Sequence, residues 1–168
     1  MSKLDIKKYG NSILRKKSSI VYEVTDNIKK LVNDMFETMY AAPGVGLAAP
    51  QIGILARICV VDISKEQNSS FVMINPKILL GENKTFEEEG CLSLPGFFAS
   101  IRRFNKIIVE YMDLDNKKKE IEVQGFLARA VQHEIDHLDA KIFIDYLPEF
   151  KRKSIEKEIK RKKKVGNW

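Results

Sequence analysis

The sequence predicts an α+β fold, with antiparallel or mixed β-sheets packed around a central helix and further helices toward the N- and C-terminal ends. Three observations lead there. Helical spacing of apolar residues comes first, a block of β-branched segments follows, and helical spacing returns only near residue 125. Strands and helices never alternate regularly, which excludes a parallel sheet of βαβ units. With 44% hydrophobic and 31% charged residues, the 168-residue chain suits one globular domain large enough to bury a core.

The elements follow in order. Thr25 or Asp26 offers a helix cap, and Ile28, Leu31, Val32, Met35, Phe36 and Met39 recur at spacings of three and four, so residues 25–44 read as an amphipathic helix. The glycine-containing stretch "APGVGLAAPQIG" comes next. Strand-like runs then occupy 56–63, 71–76, 99–104, 106–114 and 119–125, with turn-forming pieces such as "DLDNKKK" between them. From Gly125, residues Leu127, Val131, Ile135 and Leu138 restore helical spacing. The division expected is a main domain over 1–147 and a basic helical extension of the same domain over 148–168.

The net charge of +6 is concentrated in that extension. Residues 151–164 hold nine Lys or Arg against two Glu, a local +7 that leaves −1 for the rest of the chain. A neutral body with a basic handle argues against a nucleic-acid surface spread over the fold. The N-terminal "MSKLDIKKYG" has no apolar stretch after its lysines and no segment approaches a membrane span, so the expected setting is the cytoplasm, without a membrane partner. In a reducing compartment Cys59, within "RICVVDI", reads as core, and a disulfide to Cys91 is disfavoured.

The only two histidines lie in "VQHEIDHLDAK", four residues apart. On a helix, four residues advance about 400° and about 6 Å, so His133 and His137 share a face and can grip one metal ion. Glu134 is turned about 100° from His133, beside the ion, where it can take a proton from water. The bland alternative, two solvated histidines on a charged helix, sits poorly with the apolar positions that mark this helix as buried.

A catalytic metal site usually has three protein ligands and an open position. The tail after the helix has no histidine, and its glutamates lie in a charged run. Cys91, in "EEEGCLSLPG", stands where Gly90 frees the backbone and Pro95-Gly96 closes the segment, and a thiolate is a strong soft ligand. The alternative is a small buried cysteine.

Three segments, "GVGLAAPQ" (44–51), "EGCLS" (89–93) and "QHEIDH" (132–137), resemble the three motifs of peptide deformylases, in the same order, and the likeness extends over essentially the whole chain. The resemblance implies a hydrolase that removes the formyl group from formyl-methionine at the start of new polypeptides and releases formate. It implies one divalent metal ion, Fe2+ foremost with Zn2+, Ni2+ or Co2+ able to substitute, held by Cys91, His133 and His137. Water activated by the metal would attack the formyl carbon, with Glu134 as base and then acid. Gln51 and the Leu92 backbone N–H would receive the oxyanion, and the glycines of the first motif, Gly46 among them, would let the backbone pair with an extended peptide.

The same resemblance assigns Val45, Phe126 and Ala130 to the methionine pocket. It makes Glu89 a support of the ligand shell and pairs Asp136 with an arginine, either Arg103 or the adjacent Arg102, Arg103 being the aligned position. Phe98, Glu87 and Ala140 depart from residues common in the family, which bears on substrate positions beyond methionine. The basic tail is expected to be separable from catalysis, unless Ile155, Ile159 and Val165 pack on the body, and to be either a solvated charged helix or a dock onto the ribosome through its RNA. A zinc endopeptidase and a ribosome-binding module are the competing functions.

Overall fold

A computed structural model describes residues 2–168. Helix α1 spans Asp26–Ala41, capped by the Thr25 side chain accepting from the Ile28 N–H. Five strands follow: β1 Gly46–Ala48, β2 Ile58–Val61, β3 Phe71–Cys91, β4 Leu94–Met112 and β5 Lys118–Gln124. Helix α2 (Gly125–Leu138) and helix α3 (Glu149–Lys164) complete the chain, with single 3-10 turns at Ser12–Arg15, Ala49–Ile52 and Phe143–Tyr146.

The strands form one sheet in sequence order, every neighbouring pair antiparallel. It therefore takes the antiparallel option, in one sheet instead of several. Two strands are longer than their apolar runs predict. The runs at 99–104 and 106–114 are one strand, β4, because Asn105 interrupts the hydrophobicity but not the pairing. Likewise β3 continues from 76 through the polar "ENKTFEEEG" to Cys91, carried by its ladder with β4. Such polar stretches pair only because the partner strand is already in register, information that local propensity lacks.

Successive residues of β2 point to opposite sides, and both sides are buried. Ile58 and Val60 pack with Val32, Met35 and Met39 of α1. Cys59 and Val61 pack with Val131, Ile135 and Leu138 of α2, together with Met73, Ile107 and Val109. Cys59 is a core residue, and burial pushes its thiol well above its ordinary range; both cysteines are free. Where β5 runs out at Gln124, opposite Lys106, the exposed backbone of Phe104 is taken by α2: the Phe104 N–H donates to Gln132 Oε1 at 3.0 Å, and Gln132 Nε2 donates back to Phe104 O at 2.8 Å. That double bond in effect extends the ladder and fixes the height of α2 on the sheet.

A third apolar cluster joins the end of β3 and start of β4 to the tail. Leu14, Leu94, Ile101, Phe143 and Ile159 are buried there, with Ile155, Phe97, Cys91 and Trp168 packed against them. Of the three apolar tail positions, Ile159 is buried against the body and Ile155 partly so, while Val165 takes no part and stays 57% exposed. Trp168 Nε1–H donates to Tyr9 O at 3.0 Å and its ring meets Phe97 edge-on at 5.9 Å. No helix among the described residues is long and apolar enough to cross a membrane.

Candidate active site

Cys91 ends β3, one side of a hairpin that turns at Leu92-Ser93 and whose register shifts between Gly90 and Cys91, so the thiol is delivered at the turn end of the hairpin. Helix α2 runs beneath it and brings up His133 and His137, both buried. One donor atom from each of Cys91, His133 and His137 lies within 4.8 Å of the others. Cys91 Sγ is 3.3 Å from His137 Nε2. His133 is oriented from behind, with Nδ1 at 2.9 Å from Glu89 Oε1 and its ring stacked on Phe143 at 6.1 Å. That leaves Nε2 of His133 for another partner.

Glu89 is the hub of the buried polar groups. Arg103 donates to it from Nε at 2.8 Å and from the Nη2 nitrogen at 3.0 Å, and Arg129 Nη1 donates at 2.7 Å. Burial would raise its pKa, but the bonds from His133 and Arg103 outweigh burial and hold it at about 2. Arg103 also pairs with Asp136, which accepts from Tyr146 Oη at 2.8 Å. The choice between adjacent arginines is thereby settled structurally: Arg103 is 5% exposed, while Arg102 sits on the outer face over the Phe86 ring.

Glu134 follows His133 into the same space. Its Oε2 is buried without a hydrogen-bond partner, and burial pushes its carboxyl up to about 7. Burial also holds His137 well below the ordinary imidazole range, which keeps that ring neutral. The first motif closes the opposite wall. Gln51 accepts from the Ala48 N–H at 2.9 Å, and its Nε2 donates to Ser93 Oγ at 3.1 Å and approaches Cys91 Sγ at 3.6 Å. These walls enclose a cavity of about 520 Å³ to which Val45, Gly46, Leu92, Phe126 and Ala130 contribute. Val45 and Phe126 stand at its rim, 40% and 52% exposed, while Ala130 lies in its floor.

The site residues singled out from the sequence line this cavity or are bonded to a residue that lines it, except Asp136, which reaches it through Arg103 and Glu89. Sequence reasoning missed Arg129 and Ser93. Arg129 carried only a partial signal: it lies one turn before His133 on a helix that apolar spacing marks as buried, but the sequence does not show which face its side chain takes. Ser93 carried none, since its hydroxyl matters only through the fold that sets Gln51 beside it.

A helix bearing His-Glu-x-x-His with a third soft donor across a cavity defines the class of metal-dependent hydrolases. Comparison with known proteins narrows this. Residues 3–153 match the family described as polypeptide deformylase. The chain is 61% identical over 168 residues, all of both chains, to a peptide deformylase of Endomicrobium trichonymphae, and 49% identical to one of Thermodesulfovibrio yellowstonii over 97% of this chain and 100% of that one. It superposes on the crystal structure of a peptide deformylase from Legionella pneumophila with a TM-score of 0.93 at 38% identity, covering 98% of each chain. A peptide deformylase from Ehrlichia chaffeensis in complex with actinonin gives a TM-score of 0.91 at 42% identity, over 96% of this chain and 98% of that one. The chain belongs to the peptide deformylase family. It is a metal-dependent hydrolase that removes the formyl group from the N-terminal formyl-methionine of newly made polypeptides and releases formate.

Proposed function

We propose that Cys91, His133 and His137 hold one divalent metal ion in this chain, and that Glu134 carries the proton of formyl hydrolysis. The supporting observation is the convergence of the three donors within 4.8 Å beside a carboxylate whose Oε2 is buried without a partner. The donor set fits such an ion. A thiolate and two imidazoles suit Fe2+, Zn2+, Co2+ or Ni2+, and the carboxylate behind His133 is the support that metal-binding histidines usually have. Fe2+ is the ion we propose for the cell, on the family likeness.

When bound, the metal supplies Lewis acidity that makes water a competent nucleophile near neutral pH. Glu134 accepts the proton of the attacking water and returns it to the departing amine nitrogen. Gln51, its Oε1 fixed by Ala48, presents Nε2 on the Cys91 side and with the Leu92 N–H donates to the developing oxyanion. Val45, Phe126 and Ala130 receive the methionine side chain, and the Gly46 backbone pairs with the extended peptide. Glu89, Arg103 and Asp136 keep the ligand helix in one orientation.

The test is formate release from a formyl-Met-Ala peptide by anaerobically purified protein, with metal content measured in parallel. Cys91→Ala, His133→Ala and His137→Ala each lose stoichiometric metal, while Glu134→Ala keeps it and loses turnover by at least about 10²-fold. Full metal and wild-type activity in the Cys91 variant would refute the ligand set. Cleavage of internal peptide bonds instead would favour an endopeptidase.

We propose further that the enzyme works in a bacterial-type cytoplasm and that α3, an extension of the catalytic domain from residue 148 onward, docks on ribosomal RNA. The support is the local +7 charge of residues 151–164 on a helix that buries Ile159 and leaves Lys160, Arg161 and Lys163 exposed. Charge reversal at those three positions abolishes ribosome co-sedimentation at low salt if the contact is to phosphates. Unchanged co-sedimentation would leave α3 a structural helix.

A further inference from the structure

Three phenylalanines are largely exposed: Phe86 60%, Phe98 63% and Phe150 71%. Phe86 belongs to β3, Phe98 to β4 and Phe150 to the first turn of α3. The register pairs Gly90 with Phe98 and Phe86 with Arg102, so Phe86, Gly90 and Phe98 share one face of the hairpin. The Phe98 ring lies directly over Gly90, where an added methyl would come within 2.7 Å of it. With Leu147, Ser154 and Ile155 the three rings line a second cleft of about 490 Å³. Phe98 belongs to both this cleft and the catalytic cavity.

We propose that the second cleft receives the downstream part of the same formylated chain and selects apolar or aromatic side chains at about its fourth and fifth residues, counting the formyl-methionine as the first. The proposal rests on the deformylase reading of the adjoining cavity. A polypeptide held by its first residue must leave through the open mouth of that cavity, and Phe98 stands on both sides of the exit. The strand sets the distance. Gly90 lines the catalytic cavity and Phe86 lies four residues back along β3, about 13 Å at roughly 3.3 Å per residue, a span that an extended chain covers in about four residues. The rings offer area that is already ordered, so binding there fixes little beyond the incoming chain. Lys151 on the rim disfavours a lysine or arginine at the same depth.

The experiment compares kcat/KM for formate release from formyl-Met-Ala-Ser, formyl-Met-Ala-Ser-Leu-Phe and formyl-Met-Ala-Ser-Lys-Lys by the metal-loaded enzyme and its Phe86→Ser and Phe150→Ser variants. Both substituted residues are exposed and lie outside the catalytic cavity, so the fold and the rate on the tripeptide are retained. The Leu-Phe peptide gains about tenfold over the tripeptide in the wild type, through KM, as expected for one additional buried apolar group. The Lys-Lys peptide gains nothing, and each variant loses most of the Leu-Phe gain. Equal values for all three peptides in the wild type, or a gain that survives both substitutions, overturns the proposal. So does a dimer seen by sedimentation that Phe150→Ser dissociates while the kinetics ignore peptide length, because the cleft would then hold a second copy. Absence of formate from even the tripeptide overturns the deformylase reading itself, and this proposal with it.

Discussion

Gly46 and the Glu134 carboxylate occupy adjoining space: a methyl group on the Gly46 Cα would stand 2.4 Å from Glu134 Oε1 and 2.9 Å from its Cδ. Strand β1 therefore approaches the catalytic helix as closely as a chain without a side chain can. In Gly46→Ala either the carboxylate turns away or β1 retreats. Metal content stays at the wild-type level while turnover falls about 10²-fold, the scale of a misplacement near 1 Å. Wild-type turnover in that variant would mean that Glu134 works from another rotamer.

Glu89 balances two buried guanidiniums and His133 at once. Glu89→Gln leaves Arg103 with Asp136 alone and Arg129 with only the exposed Glu87, which costs about 3–5 kcal/mol in urea unfolding, and weakens metal affinity by about 10- to 100-fold through the loosened His133. Glu87 supplies the contrast, since it meets Arg129 Nε only at 3.5 Å from a side chain 58% exposed. Glu87→Gln should change stability by less than about 1 kcal/mol.

Alkaline pH tests a different bond. Tyr40 donates to Asp62 at 2.6 Å, and burial together with that carboxylate raises the phenol to about 12. A phenol held above its unfolded value of about 10 stabilises the fold fully below pH 10 and loses that contribution as pH climbs toward 12. The Tm gap between wild type and Tyr40→Phe is therefore widest at neutral pH and closes across that window. A gap independent of pH would assign the effect of Tyr40 to packing alone.

Ala140 follows the end of α2 with φ +63°, a left-handed conformation in which its Cβ is strained. Ala140→Gly removes the strain, and after the added freedom of the unfolded chain about 0.5 kcal/mol of stabilisation remains. For a chain of this size that is a rise in Tm of about 1–2 °C by calorimetry. A fall in Tm would show that Ala140 contributes more through contacts than it loses through conformation.

Deleting residues 151–168 strips Ile155, Ile159 and Trp168 from the cluster that also holds Cys91 and Phe97. The truncated chain should lose stability by about 3 kcal/mol or more, as expected from exposing several large apolar groups, and hydrolysis of a free formyl-peptide should fall with it. Charge reversal at Lys160, Arg161 and Lys163 leaves Tm and hydrolysis unchanged. If both alterations behave alike, the basic residues and not the apolar face explain the role of the tail.

The chemistry was more legible in the sequence than the scaffold. His133, Glu134 and His137 are fixed relative to one another by helical geometry alone, so four residues of spacing reveal them. Cys91 was readable through its glycine and proline surroundings, and the partnership of Arg103 with Asp136 only by likeness to a family. Strand lengths were not readable. "ENKTFEEEG" has no apolar periodicity, and it is a strand because β4 lies beside it. Arg129 escaped for a related reason: a charge on a helix is ordinarily solvated, and only the burial of Glu89 shows where its guanidinium goes.

The bond from Trp168 to the carbonyl of Tyr9 joins residues 159 positions apart, and Tyr9 in turn donates from its backbone to Ser93 O at 2.8 Å, two residues beyond Cys91. A ribosome delivers Tyr9 early and Trp168 only after everything between them has been translated. The sheet and α2 can form while synthesis continues, since their partners lie nearby in sequence, but the clasp that braces the Cys91 segment must wait for residue 168. The thiol side of the site thus leans on a contact between residues far apart in sequence, while the histidine side leans on the strands packed against α2.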